Sequence, residues 1–262
     1  MTGPAKQFAK AIVRLPAPTF AGGLTTANLG VPDYSLALVQ FNNYCSALSE
    51  CGLELIALPA DENYPDSTFV EDTAVFTDWC VILTRPGAVV RRGEVELIAP
   101  TISRFRTEVR VIEDPGTLDG GDVCRAGSHF FIGLSQRTNE EGAQQLSNYL
   151  AQFDYTSSVV DIRTDNKLLH LKSGIAYLSD DTLVLNESLS ENESFASFER
   201  ITVPDSEGYA CNCVAVNDRV LVASGFPALK TSLDQLGYKT VALEMSEFQK
   251  MDGGLSCLSL RF

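Results

Sequence analysis

The chain ends in "MDGGLSCLSLRF" (251–262), which places Cys257 five residues from the last position. Chain ends usually fray, so a thiol held there behind Gly253-Gly254 asks for a reason. A glycine pair lets a ligand come close to the backbone. An echo of the same motif, "LDGGD", stands at 118–122 and carries Asp119 and Asp122. Only two histidines are present, His129 and His170. A cysteine, a histidine and an acid are the groups of covalent catalysis, in which a thiolate attacks and an imidazole moves protons. His129, in "GSHFF", reads as a partly exposed strand residue, which leaves His170, in "LLHLKS", as the candidate. From spacing alone His170 is as readily a structural residue as a functional one. Glu71 and Asp72, in "FVEDTAVF", are unusual in a segment that should be buried, because buried carboxylates need partners. A cationic ligand is one such partner. Attack on an amide would require donors for an oxyanion. A guanidinium carbon attacked by a thiolate gives a nearly neutral adduct, and carboxylates such as Asp72 and Asp119 would grip its N–H groups.

Groups so far apart in sequence need a scaffold that brings them together, and the hydrophobic pattern supplies one. From Phe69 the chain repeats a hairpin, a helix and a strand. The first unit is "FVEDTAVFTDWCVILTR", then a helix with Val95, Ile98, Ile102 and Phe105 at helical spacing, then "EVRVIE". Pro100 is expected to kink that helix or delay its start. The second unit is "DVCRAGSHFFIGLS", a helix presenting Ala143, Leu146, Leu150 and Phe153, and "SSVVDI". The third has a short helix around 193–198, and the fourth turns at Asn217-Asp218. A fifth begins with "LSCLSLRF" and runs out. The N-terminus holds the missing parts: "KAIVRLP", a helix with Tyr34, Leu38, Phe41, Cys45 and Leu48 along one face, and "LELIALP". The expectation is an α/β propeller of five blades, with the last blade stitched from both termini. Its first strands would line the axis and carry Asp72, Asp119, His170 and Cys257 into one pocket. Residues 1–262 read as a single domain.

Composition narrows the class. Hydrophobic residues make up 45% of the 262, enough for a sizeable core. No stretch approaches the roughly 18–20 apolar residues of a membrane span, and the N-terminus has no convincing signal-cleavage site. The net charge of −14 argues against nucleic acid or an anionic membrane and would steer a cationic small molecule. Seven cysteines, irregularly spaced and without a C-x-x-C, argue against a disulfide framework and a structural zinc site. Reduced thiols fit a cytoplasmic setting.

With these residues assembled, the chain resembles the dimethylarginine dimethylaminohydrolases of the guanidine-modifying, or pentein, superfamily, especially the bacterial type. The resemblance runs from about Leu24 to Phe262 through "GLTTANLGVPDY", "PDSTFVEDTAVF", "TRPGAVVRRGE", "LDGGD", "IGLSQRTNEEGA", "LHLKSG", "YACNCVAVNDRVL" and "MDGGLSCLSLRF". It implies a five-bladed α/β propeller that hydrolyses methylated arginine to citrulline without a cofactor or metal. It also implies the roles: Cys257 as nucleophile, His170 as acid and then base, and Asp119 orienting His170 and holding the guanidinium. Asp72 would hold the guanidinium with Glu71 beside it, and Arg91 and Arg137 would bind the α-carboxylate. Leu24, Asp66 and Met251 would line the amino-acid end, with the segment around Leu24 as a lid. The bacterial enzymes carry Glu where this chain has Asp119; the vertebrate branch has Asp, so altered tuning is expected rather than lost activity. The family includes dimers, so a homodimer is an open expectation. The alternatives are a deiminase of unmethylated arginine and, from another class, a non-catalytic binding protein of the same fold.

Overall fold

The computed structural model describes residues 7–179 and 181–262. In chain order the elements are β1 (Lys10–Arg14), α1 (Tyr34–Glu50), β2 (Glu54–Leu58), β3 (Ala74–Phe76), β4 (Val81–Leu83), α2 (Arg92–Ile102) and β5 (Val109–Val111). They continue with β6 (Val123–Ala126), β7 (His129–Leu134), α3 (Glu140–Ala151), β8 (Thr156–Asp161), β9 (Ile175–Tyr177), β10 (Thr182–Asn186) and β11 (Glu199–Val203). Last come β12 (Val214–Val216), β13 (Arg219–Ala223), α4 (Pro227–Gln235), β14 (Lys239–Leu243), α5 (Ser246–Gln249) and β15 (Leu260–Arg261). Among the described residues no helix is long and apolar enough to cross a membrane.

These strands form five three-stranded sheets of one design. In four of them an antiparallel hairpin is followed by a crossover to a parallel third strand, as in β6-β7-β8, where α3 makes the crossover. Parallel pairing requires such a connection. In the fifth sheet β15 pairs antiparallel with β1, and β1 pairs parallel with β2. The tail is therefore the hairpin strand of a unit whose remaining parts lie at the N-terminus. The Phe262 carbonyl accepts from Ala9 and Lys10, and the Phe262 ring stacks on Phe76 at 4.5 Å. Backbone groups satisfied in this way hold a chain end in place.

Five apolar clusters each join two successive sheets. Val75 and Ile82 pack with Val123 and Ile132, and Cys124 and Phe131 with Ile175 and Leu183. Val184 packs with Val220, Val216 and Leu221 pack with Val13, and Leu260 and Ile12 pack with Val81. Each helix covers one cluster because its sequence is amphipathic. In α3, Asn139 caps the N-terminus by accepting from Gly142 N–H, and Ala143, Leu146 and Leu150 are buried. In α1, Asp33 accepts from Leu36 N–H, and the chain leaves the helix through Gly52 at φ 90°.

Several local expectations shift. The buried face of α1 is Ala37, Gln40, Phe41, Tyr44, Ala47 and Leu48, offset from the apolar stripe because two polar residues find partners. Tyr44 Oη bonds Ser259 Oγ at 2.6 Å, and Gln40 donates to Ser246 Oγ at 2.8 Å. Pro100 lies inside α2, which starts at Arg92 regardless. The short helix expected around 193–198 is instead a pair of 3₁₀ turns, Glu187–Leu189 and Glu193–Phe195. Asn186 and Asn192 cap these turns through their side chains, an alternative to continuous helix that Asn offers readily.

Candidate active site

The residues singled out in the sequence do not lie on the inner strands themselves. Glu71, Asp72 and Cys257 lie in short 3₁₀ turns that precede the inner strands, Val70–Thr73 and Ser256–Leu258, while Asp119 and His170 are the residues immediately before the turns Gly120–Asp122 and Leu171–Ser173; the fourth-unit counterpart is Asp205–Cys211. A strand would send adjacent side chains to opposite faces. A tight turn fans them outward and lets one segment serve several neighbours.

Hydrogen bonds run from turn to turn through all five units. Ser256 Oγ donates to Glu71 Oε2 at 2.6 Å, and Gly121 N–H donates to Asp72 Oδ1 at 3.0 Å. Leu171 N–H donates to Asp122 Oδ1 at 2.9 Å, Asn212 Nδ2 donates to the Lys172 carbonyl at 2.9 Å, and Ser256 N–H donates to Asn212 Oδ1 at 2.8 Å. The position of each side chain is thus fixed by its neighbour in space rather than in sequence.

Cys257 and His170 line the same cavity, of about 570 Å³. His170 Nε2 bonds Asp119 Oδ2 at 3.0 Å, so the shorter acid reaches the imidazole. Asp119 is fully buried and accepts Gly87 N–H on its other oxygen at 2.9 Å. Asp72, Asp119 and His170 bring one atom each within 4.8 Å of one another. That spacing would suit a metal ion, yet the atoms already have partners: Asp119 holds His170, and Asp72 accepts from Gly121 N–H and Arg91. The positive charges in this acidic nest are Arg91 and protonated His170. A second cavity, of about 600 Å³, contains neither Cys257 nor His170; the chemistry therefore assigns the site to the smaller one.

Charge and burial oppose each other here. Burial lowers the His170 pKa, but Asp72, Asp122 and Asp119 outweigh it and push it up to about 9. Burial, then the charges of Glu71 and Asp72, push the Cys257 thiol up to about 12. For Asp72, burial works against ionisation, while His170 and Arg91 hold the carboxylate below its usual range. Burial carries Asp122 up to about 6 against His170 and two hydroxyl donors. These directions favour a neutral thiol and an imidazolium in the one cavity at neutral pH.

The remaining expected residues fall into place unevenly. Arg91, not Arg92, is the buried arginine, and its guanidinium is engaged by Asp72 at 2.6 Å, by both oxygens of Glu94, and by the Asp66 and Phe69 carbonyls. It reaches the group expected to hold a guanidinium, not an open end of the cavity. The Arg137 side chain makes no ion pair among the described residues. Asp66 accepts Leu24 N–H on both oxygens, and a side chain at Gly23 would meet Asp66 and Met251, so Leu24, Asp66 and Met251 form one group. Glu71 departs most from expectation. Its carboxylate is held by Lys172 at 2.7 Å and Ser256 at 2.6 Å, with Arg261 at 3.5 Å, and it lines the second cavity. The adjacent Asp72 turns toward His170.

The glycine pair before Cys257 also has a different reason from the one expected. A Cβ at Gly253 would lie 2.2 Å from the Phe69 ring, and one at Gly254 2.5 Å from Asn212. The space is filled by the protein's own side chains. The sequence places Asp122 beside Asp119 in "LDGGD" but gives it no role. Its carboxylate accepts Ser135 Oγ and Thr138 Oγ1, both at 2.7 Å, as well as Leu171 N–H, and so anchors the turn that follows His170. Gly121 lies where the turns meet. A Cβ there would be 2.9 Å from both Asp72 Oδ1 and the His170 ring. Gly121→Ala is expected to lower kcat by roughly 10²-fold through displacement of the imidazole, measured by citrulline formation beside a thermal melt that shows the fold retained.

Comparison with known proteins follows the same lines. A family model described as arginine deiminase matches residues 62–209. An N(G),N(G)-dimethylarginine dimethylaminohydrolase of Pseudomonas aeruginosa is 44% identical over 256 residues, covering 97% of this chain and 100% of that protein. The chain belongs to the dimethylarginine dimethylaminohydrolase family. Another member of this family, from Streptomyces coelicolor, is 36% identical over 254 residues, 96% of each chain. The solved structure of the Pseudomonas dimethylarginine dimethylaminohydrolase, a cysteine-to-serine mutant complexed with citrulline, superimposes with a TM-score of 0.95 at 44% identity, covering 98% of this chain and 100% of that one. The five-unit α/β architecture is that of this dimethylarginine dimethylaminohydrolase.

Proposed function

We propose that the protein hydrolyses Nω,Nω-dimethyl-L-arginine and Nω-methyl-L-arginine to L-citrulline and dimethylamine or methylamine. The observation that carries this reading is the shared cavity of Cys257 and His170, with the carboxylates of Asp72 and Asp119 gathered behind the imidazole. A cationic planar group is the natural occupant of such a site.

Cys257, as thiolate, attacks the guanidinium carbon. The imidazolium of His170 gives its proton to the departing amine as the C–N bond breaks, and a covalent thiouronium remains. His170, now neutral, takes a proton from water, whose oxygen bonds to the same carbon. The C–S bond then breaks, the urea of citrulline forms, and the sulfur leaves as thiolate. Asp119 orients the imidazole throughout. A thiol with a pKa near 12 is thiolate to the order of 10⁻⁵ at neutral pH. Arrival of the cationic substrate offsets the charges of Glu71 and Asp72 that hold the thiol up, so the substrate helps create its own nucleophile. Asp72 pairs with the substrate guanidinium, its carboxylate being shared with the fixed charge of Arg91. Arg137 carries the free positive charge for the α-carboxylate, and Leu24, Asp66 and Met251 face the amino-acid end. Glu71 acts on the far side of the turn, through Ser256 and Lys172.

No step of this mechanism requires a cofactor or a second copy of the chain. We read residues 1–262 as one catalytic unit, since turns from all five units build the site. The seven cysteines are all free, which supports a reducing, cytoplasmic setting. The match to an arginine deiminase model makes unmethylated arginine the rival substrate. Parallel assays of citrulline release from arginine and from its asymmetric dimethyl form decide between them. Higher kcat/KM for the methylated substrate is expected; a clear preference for arginine would overturn the assignment.

A further inference from the structure

We propose that Asn212 is a positioning residue that sets the nucleophile against the imidazole by tying the turn of Cys257 to the turn of His170. The inference rests on the reading of Cys257 and His170 given above. It starts from the carboxamide, whose hydrogen bonds go to both turns. Oδ1 accepts Ser256 N–H at 2.8 Å, and Nδ2 donates to Ser256 Oγ at 3.0 Å and to the Lys172 carbonyl at 2.9 Å. Ser256 immediately precedes Cys257, and Lys172 follows His170 by two residues. One amide therefore fixes the separation of two loops that lie 87 positions apart between His170 and Cys257.

Asparagine fits this place and its relatives do not. The amide orientation is set by its partners: Ser256 N–H can only donate and the Lys172 carbonyl can only accept, so a flipped amide would face a donor with a donor. Aspartate has the same shape but no donor, and would leave the Lys172 carbonyl and Ser256 Oγ without their partner. It would also set a second negative charge beside Glu71, which already bonds Ser256 Oγ at 2.6 Å and Lys172 Nζ at 2.7 Å. Glutamine is one methylene longer, so its carboxamide would be displaced from the Ser256 N–H and the Lys172 carbonyl that Asn212 holds at 2.8 and 2.9 Å. Asn212 is 8% exposed and borders the cavity that holds Cys257 and His170. Its hydrogen bonds go to Ser256 and Lys172, and it acts through the two turns.

The test uses the full-length protein with Asn212→Asp, and Ser256→Ala as the second variant should the first fail to fold. Three readouts are taken: steady-state kinetics on dimethylarginine, the pH profile of Cys257 alkylation by iodoacetamide followed by peptide mass, and a thermal melt. Asn212→Asp is expected to lower kcat by roughly 10²-fold, the loss a displacement near 1 Å brings, with KM changed by less than about threefold, and to move the alkylation profile to higher pH. Ser256→Ala keeps the N–H contact to Asn212 and loses the hydroxyl contacts to Asn212 and to Glu71, so a loss of kcat in the same sense is expected. Unchanged kcat and an unchanged alkylation profile in the folded variant would overturn the proposal. So would loss of kcat that tracks loss of thermal stability while the alkylation profile stays in place, since that is the mark of a merely structural residue. A Cys257→Ser control separates the two levels: if it turns over normally, the catalytic reading fails, whereas an inactive control with a normal Asn212→Asp enzyme sinks only the positioning role.

Discussion

Replacing Cys257 by serine is expected to reduce amine release by at least about 10⁴-fold while substrate is still bound. The size of the effect follows from the site's charge. Serine is nearly isosteric, but its hydroxyl is far less acidic than a thiol, and the acids that raise the Cys257 pKa would oppose an alkoxide still more strongly. The groups assigned to binding, Asp72, Arg137 and Asp66, are untouched, so a dissociation constant measured by calorimetry should stay within about tenfold of KM. Turnover near the normal rate would remove the nucleophile from the account.

His170→Asn should cost nearly as much. General acid–base catalysis supplies roughly 10²–10⁴-fold per step, and His170 serves twice, once for the amine and once for water. The pH profile gives a sharper test. At neutral pH both thiol and imidazole are protonated, and the reacting pair of thiolate and imidazolium carries one proton fewer. Log kcat/KM is therefore expected to rise by about one per pH unit and to level off near pH 9, where the site loses its first proton. The His170→Asn enzyme should lack that break and keep rising, because only the thiol, with its pKa near 12, remains to titrate. A break retained near pH 9 in the variant would mean that another group controls it. Rapid-quench experiments should also show the variant slowed in both formation and breakdown of the adduct.

Much of this architecture was legible in the sequence because the repeat is physical. A hairpin, a crossover and a parallel strand each leave a period, and the truncated last unit had its missing pieces at the other terminus. The pairing of β15 with β1 follows from that reading. What escaped was confined to segments without a period. The 3₁₀ turns that carry the chemistry are too short to announce themselves, so Glu71 and Asp72 could be read as a pair when Glu71 turns to Lys172 and Ser256 and Asp72 to Arg91 and Gly121. Arg91 and Arg92 are chemically identical in sequence; burial among Asp72 and Glu94 alone separates them. Nothing local in the sequence gives Asp122 or Asn212 a role, and their importance lies in partners 49 and 44 positions away, Leu171 and Ser256. The offset face of α1 has the same origin: the pattern of apolar residues cannot record that Tyr44 meets Ser259.

The most direct test of the central claim is intact-protein mass spectrometry during turnover of dimethylarginine, with acid quenching on the millisecond scale and peptide mapping of the trapped species. A thiouronium on Cys257, with one equivalent of dimethylamine released before citrulline, is the predicted result. Citrulline formed in a single turnover with no mass added to Cys257 at any time, or an adduct on another cysteine, would contradict it.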